Sequence, residues 1–249
     1  MNTSVKTPLA GTESPRDARS GWARSMVRGI RPHDLAGKAG EIAAELEDRL
    51  IRGGYRFGET LSIYALATQF NASRQPVAAA VLYLKSVGYL DVIPQVGCRV
   101  VSPSAQEVHD FFVMFSRTEA VIARFASERH TAQEAAELLA LAQEMAANPF
   151  QSRYDRRAMA DGISHFHDQI SAMARSQLLV DRISNLRRIF RFYLSQQRPA
   201  DSDPGGTPAS MNQLRLALAR AIASRDGALA EQATSDYILN DLDDWARVV

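Results

Sequence analysis

The sequence predicts a mainly α-helical protein, with an N-terminal winged helix-turn-helix followed by an all-α helical bundle. Three observations carry that prediction. Between Asp34 and Pro103, two short apolar helices flank a tight turn at Asn71-Ala72, and two strand-like runs around a glycine-tipped turn follow. Beyond Ser104 the strand signals stop and apolar residues recur at helical spacing. The charge divides the same way: residues 1–103 hold 13 Lys/Arg against 9 Asp/Glu, while the remainder holds 16 against 19. A basic front and an acidic back suit a nucleic-acid module joined to a sensing or pairing module.

Three segments follow: a basic arm over 1–32, a winged helix-turn-helix over 33–103 and a helical effector or dimerisation region over 104–249. The arm mixes Ser, Thr, Pro and Gly with Arg16, Arg19, Arg24, Arg28 and Arg31, and it lacks the apolar stretch of a secretion signal. Ile42, Leu46, Leu50 and Ile51 give the first helix its apolar face, and Gly53-Gly54 stops it. The second helix runs from Ser62, a capping residue, to Phe70. Ser73 is placed to cap the third, with Pro76 in the first turn, where a missing N–H is tolerated, and Gly88 at the end. Tyr89–Ile93 and Arg99–Val101 read as the strands of a wing whose tip is Pro94-Gln95-Val96-Gly97. Six helical segments then follow: 106–129, 132–147, 154–174, 177–196, 211–224 and 227–249. The Pro/Gly-rich loop Arg198–Ser210 interrupts them.

In a helix-turn-helix the second helix enters the major groove, and its first residues meet the base edges. Here these are Ser73, Arg74, Gln75 and Ala78. Arginine can pair bidentately with guanine and glutamine with adenine, while a serine hydroxyl and the helix N-terminus suit a phosphate. Gln95 and Gly97 would bring the wing close to the minor groove. The expected partner is therefore double-stranded DNA.

The run Gly58-Glu59-Thr60-Leu61-Ser62, Leu66-Ala67, Ser73-Arg74-Gln75-Pro76-Val77, Leu84, Gly88-Tyr89-Leu90 and Gly97-Cys98-Arg99-Val100 resembles the DNA-binding domain of GntR-family bacterial transcription regulators. That resemblance implies a homodimer on a pseudo-palindromic operator, with repression the commoner mode. The chain departs from the family pattern twice. Ala78 stands where an arginine is usual, and Tyr64 stands where the preceding helix often carries another. Losing two cations should lower affinity and its salt dependence, with the basic arm able to compensate. A protein-interaction module with weakened DNA binding is the alternative.

The helical remainder resembles the FCD effector domain of the FadR-type branch, through Glu119–Arg129, Phe166-His167, Ala221-Ile222 and Arg225-Asp226. Many such domains hold a divalent metal with an Asp and a His four residues apart, plus two later His. By register these positions are Ile163, His167, Arg215 and Tyr237. One ligand of the four survives, and metal sites use three or four, so no metal or other cofactor is expected. Two outcomes stay open. Arg215 takes a small carboxylate directly, with His167 and Tyr237 as hydrogen-bonding partners, or the interior is closed and the bundle serves dimerisation alone. Phe111, Phe112, Phe115, Phe166, Phe190 and Phe192 would either line an acyl-ligand cavity or pack as ordinary core.

No Gly-rich phosphate loop, nucleophile elbow or carboxylate pair at i,i+4 spacing with an obvious role appears, so no enzymatic activity is expected. His165 and His167 diverge by about 200° on a helix and cannot share one ion. The single cysteine, Cys98, excludes an internal disulfide. No apolar run approaches the ~20 residues of a membrane span, and the expected location is the cytoplasm.

Overall fold

The computed structural model describes Pro32 and residues 35–147, 156–196 and 209–246. The basic arm, apart from Pro32, and most of the loop 198–210 lie outside the described residues. In chain order the elements are α1 (Lys38–Ile51), β1 (Thr60–Leu61), α2 (Ile63–Gln69), α3 (Arg74–Ser86), β2 (Leu90–Ile93) and β3 (Gly97–Val100). The bundle follows as α4 (Ala105–Arg129), α5 (Ala132–Ala147), α6 (Arg156–Met173), α7 (Gln177–Gln196), α8 (Ala209–Ala223) and α9 (Gly227–Ala246).

In α1, Ile42, Ala43, Leu46 and Leu50 form the buried stripe, and Gly53 takes the left-handed conformation (φ 74°) just past its end. The wing is a three-stranded antiparallel sheet in the order β1-β3-β2. Leu90 lies opposite Val100 and Ile93 opposite Gly97, and β1 adds Thr60 opposite Arg99 and Leu61 opposite Cys98. The sequence reading missed β1, because two residues are too few to show any alternation.

Gly97 corrects an expectation. It belongs to β3 rather than to the wing tip, with φ at 143°. A side chain there would meet the Leu61 carbonyl oxygen at 2.4 Å. The glycine therefore makes room for β1. Gln95 holds the left-handed turn position instead (φ 64°), exposed at the tip.

Apolar burial forms two clusters. The bundle core gathers Phe112, Phe115, Phe166, Ile170, Phe190 and Leu218 with their neighbours, and Phe115 stacks on Phe190 at 4.6 Å between centroids. Most of the phenylalanines thus pack as core. Phe192 does not belong to that core; with Ile189 it is built into the core of the winged helix. Its ring meets Tyr89 at 5.2 Å and Phe57 at 5.5 Å, both edge-on. Phe111 touches both clusters.

Polar contacts fasten α7 to the same head. Gln196 accepts from the Phe57 N–H at 3.0 Å and donates to the Tyr55 carbonyl at 3.1 Å. Ser195 Oγ donates to the Leu50 carbonyl at 3.3 Å. Among the described residues no helix is long and apolar enough to cross a membrane.

Candidate nucleic-acid interface and buried polar site

Serines occupy the N-cap positions of α2, α3 and α4, and the one on α3 behaves differently. Ser62 accepts from the Ala65 N–H. Ser104 accepts from Glu107, whose carboxylate returns the bond to complete a capping box. Ser73 has the same extended backbone (φ −71°, ψ 165°), yet its hydroxyl accepts no backbone hydrogen bond. The cause lies in the sequence. In the other two helices the partner is the third helical residue, and in α3 that residue is Pro76, which has no N–H. Placing serine and proline at this spacing therefore leaves the Ser73 hydroxyl and the first turn of α3 open to an outside oxygen. An anion is favoured there by the helix dipole.

Arg74 and Gln75 are exposed on that turn, as is Ala78. The Arg74 guanidinium lies over the Tyr64 ring, 5.8 Å from its centroid, and Tyr64 is 68% exposed. Val77, Ala80, Val81 and Leu84 turn the opposite face of α3 into the core. Arg99, on β3, is a further exposed cation on the same module. Cys98, in contrast, is fully buried, and burial pushes its thiol up to about 11. It stays protonated, and a redox role is not indicated.

In the bundle, His167 on α6, Arg215 on α8 and Tyr237 on α9 come together. Arg215 Nε donates to the Tyr237 hydroxyl at 3.2 Å, and that hydroxyl lies 3.4 Å from His167 Nε2. Arg215 Nη1 donates to Asn212 Oδ1 at 2.7 Å, while Asn212 Nδ2 donates to the Met145 carbonyl. Arg215 is only 3% exposed. Ile163, one turn before His167, packs against the core and offers no ligand atom. No group of three or more potential metal-binding side chains occurs among the described residues.

A second arginine lies close by. Arg187 on α7 donates from Nε and Nη2 to both oxygens of Glu119, at 2.5 and 2.8 Å, and from Nη1 to Ser171 Oγ at 2.8 Å. Glu119 is thereby engaged, whereas the partners of Arg215 are neutral and no described carboxylate pairs with it. Burial holds the His167 imidazole well below its usual range, and Arg187, Arg215 and Arg191 reinforce the effect. The site is a neutral histidine beside a buried cation with no counter-ion among the described residues.

The residue next to Arg187 faces the head. Arg188 Nε lies 3.3 Å from Glu47 Oε1, with Glu47 itself buried on α1. Burial pushes the Glu47 carboxyl up, and Arg188 and the hydroxyls of Tyr89 and Tyr83 pull it back. Sequence reasoning missed Asn212, Glu119, Arg187 and the Arg188–Glu47 pair. A usable signal existed, since Arg187 falls among Ile183, Leu186 and Phe190, and Arg215 among Met211, Leu218 and Ile222. A cation inside an apolar helical stripe must find a buried partner.

Residues 38–100 match the family described as bacterial regulatory proteins, gntR family, and residues 113–240 match the FCD domain. The chain is 26% identical over 184 residues to the HTH-type transcriptional repressor RspR of Escherichia coli K12, covering 73% of this chain and 77% of that protein. It is equally similar to the uncharacterised HTH-type transcriptional regulator YdfH of Shigella flexneri. Among solved structures, Escherichia coli McbR/YncC superposes with a TM-score of 0.65 at 18% identity, covering 86% of this chain and 99% of that one. A GntR regulator from Rhodococcus sp. RHA1 gives a TM-score of 0.64 at 18% identity, with 86% and 100% covered.

Proposed function

We propose, for a chain that belongs to the GntR family and carries an FCD domain, that it is a cytoplasmic repressor. In this reading a homodimer holds a pseudo-palindromic operator and releases it when a small organic acid enters the bundle. The family makes it a transcription regulator with a DNA-binding head and an effector domain. The repressor RspR among its relatives supports repression.

One observation carries the DNA reading. The first turn of α3 offers an unengaged hydroxyl at Ser73 and exposed Arg74 and Gln75. Phosphate contacts would set the register and Arg74 and Gln75 would read the base edges, while Gln95 lies at the wing tip. Two such heads about 34–36 Å apart fit two half-sites one duplex turn apart. For the effector, the buried Arg215, which has no counter-ion among the described residues, supports a carboxylate, which would neutralise it while His167 and Tyr237 supply hydrogen bonds.

Helix α7 supplies a route between the two sites, because Arg187 holds the effector-side helices and Arg188 holds α1 of the head. A carboxylate that drew Arg187 away from Glu119 would shift α7 and the head with it. DNA and ligand affinities must then change reciprocally.

The test is a salt titration of the full chain on a duplex it selects from random sequences. Log affinity should fall steeply against log salt, by about 0.9 per phosphate contacted. Arg74→Ala should lose preference for that duplex with its thermal stability intact; unchanged preference refutes the role of Arg74.

A further inference from the structure

We infer that Tyr64 is a positioning residue for Arg74, and that together they read guanine rather than clamp a phosphate. This rests on the DNA-binding reading above. Tyr64 lies in the first turn of α2, with Leu66 and Ala67 beyond it facing the core. The core does not hold its ring, which is 68% exposed. Its exposure leaves a ring face open to a cation. What lies beside it is the Arg74 guanidinium, at 5.8 Å from the ring centroid.

That contact limits where the Arg74 side chain can go. A guanidinium drawn to a ring face by cation–π attraction keeps its N–H donors for a second partner, because the ring takes none of them in a conventional hydrogen bond. Among the described residues no carboxylate or carbonyl accepts from Arg74, so those donors are uncommitted. A guanidinium with uncommitted donors, kept beside the ring, is what bidentate pairing with guanine O6 and N7 needs. Phosphate is instead provided for at the neighbouring Ser73 hydroxyl and helix N-terminus. The tyrosine also narrows the rotamers of a long side chain before DNA arrives, so less freedom is lost on binding.

The experiment uses the full chain and a duplex that the wild type selects from random sequence. Each guanine is replaced in turn by 7-deazaguanine, which lacks N7. Tyr64→Ala should weaken binding to the selected duplex about two- to five-fold, while Tyr64→Phe, which keeps the ring, stays within about two-fold of wild type. At one guanine the 7-deaza substitution should weaken the wild type and abolish the difference between wild type and Tyr64→Ala. Binding to unselected DNA should be the same for all three proteins.

Equal losses in Tyr64→Phe and Tyr64→Ala would assign the effect to the hydroxyl and overturn the inference. So would a Tyr64→Ala loss that persists on every 7-deaza duplex, or no loss at all, with DNA binding itself left standing. A wild type that selects no sequence would remove the DNA-binding reading and this inference together.

Discussion

Replacing Arg215 by methionine tests whether the bundle was built for stability or for a ligand. Arg215 is 3% exposed and, among the described residues, bonded only to neutral groups. Removing it relieves a buried charge; apolar replacement of buried ions is commonly neutral or stabilising by about 1–4 kcal/mol. Against that, Asn212 Oδ1 loses its donor and Tyr237 loses one partner, at about 1–3 kcal/mol for a buried group left unsatisfied. The two effects oppose each other at similar size, so Arg215→Met should unfold within roughly 2 kcal/mol of wild type. Ligand response should change far more. A carboxylate at one hundred times its dissociation constant stabilises its receptor by about 2.7 kcal/mol, a rise of about 5–10 °C for a chain of this size. A thermal-shift screen of small mono-, di- and hydroxycarboxylates should yield such a rise in the wild type and none in the variant. Two results would refute the reasoning. If the variant keeps the full shift, the arginine is not the receptor. If it loses far more than 3 kcal/mol without ligand, the arginine is a structural keystone.

His167 gives a pH signature. Its folded pKa lies well below the usual 6.5, so the unfolded chain takes up the proton first as pH falls. Stability is fully present above about 6.5 and should decline below it by about 1.4 kcal/mol per pH unit, until the folded pKa is reached. Urea unfolding between about pH 7.5 and 5.5 should show this extra loss in wild type relative to His167→Gln; parallel curves would contradict it. Gly97→Ala should cost on the order of 3 kcal/mol and weaken DNA binding, because the new methyl meets a backbone carbonyl at 2.4 Å. Chemical denaturation checks this, and an unchanged midpoint would mean that β1 can move aside. Chelators should leave DNA binding unchanged in a fluorescence-anisotropy titration; a clear effect would mean that a metal contributes after all.

Much of the architecture was readable because local chemistry and global fold agree. Ser62 and Ser104 announce their helices, and the caps form. Ser73 announces α3 equally well, but its capping bond is absent because of Pro76, three residues on. Both residues were visible, and only their conjunction was overlooked. The neighbours of Gly97 look like a turn, whereas a tight constraint on it comes from Leu61, thirty-six positions away and silent in any local window. His167, Arg215 and Tyr237 were aligned from register alone and do converge. Their hydrogen-bond partner Asn212, and the Glu119–Arg187 pair beside them, depend on helix rotations that periodicity only brackets.

The placement of Phe192 and Ile189 has a practical consequence for anyone dissecting this molecule. A fragment cut after Pro103 would look complete by sequence, yet it would leave behind two side chains that fill its interior, along with the Gln196 clasp on Tyr55 and Phe57. Tyr89 and Phe57 would then face water, and the excised head would be a sticky, weakened piece. The natural seam of this protein does not follow its order of synthesis: a helix made ninety residues later finishes the fold of the part that touches DNA.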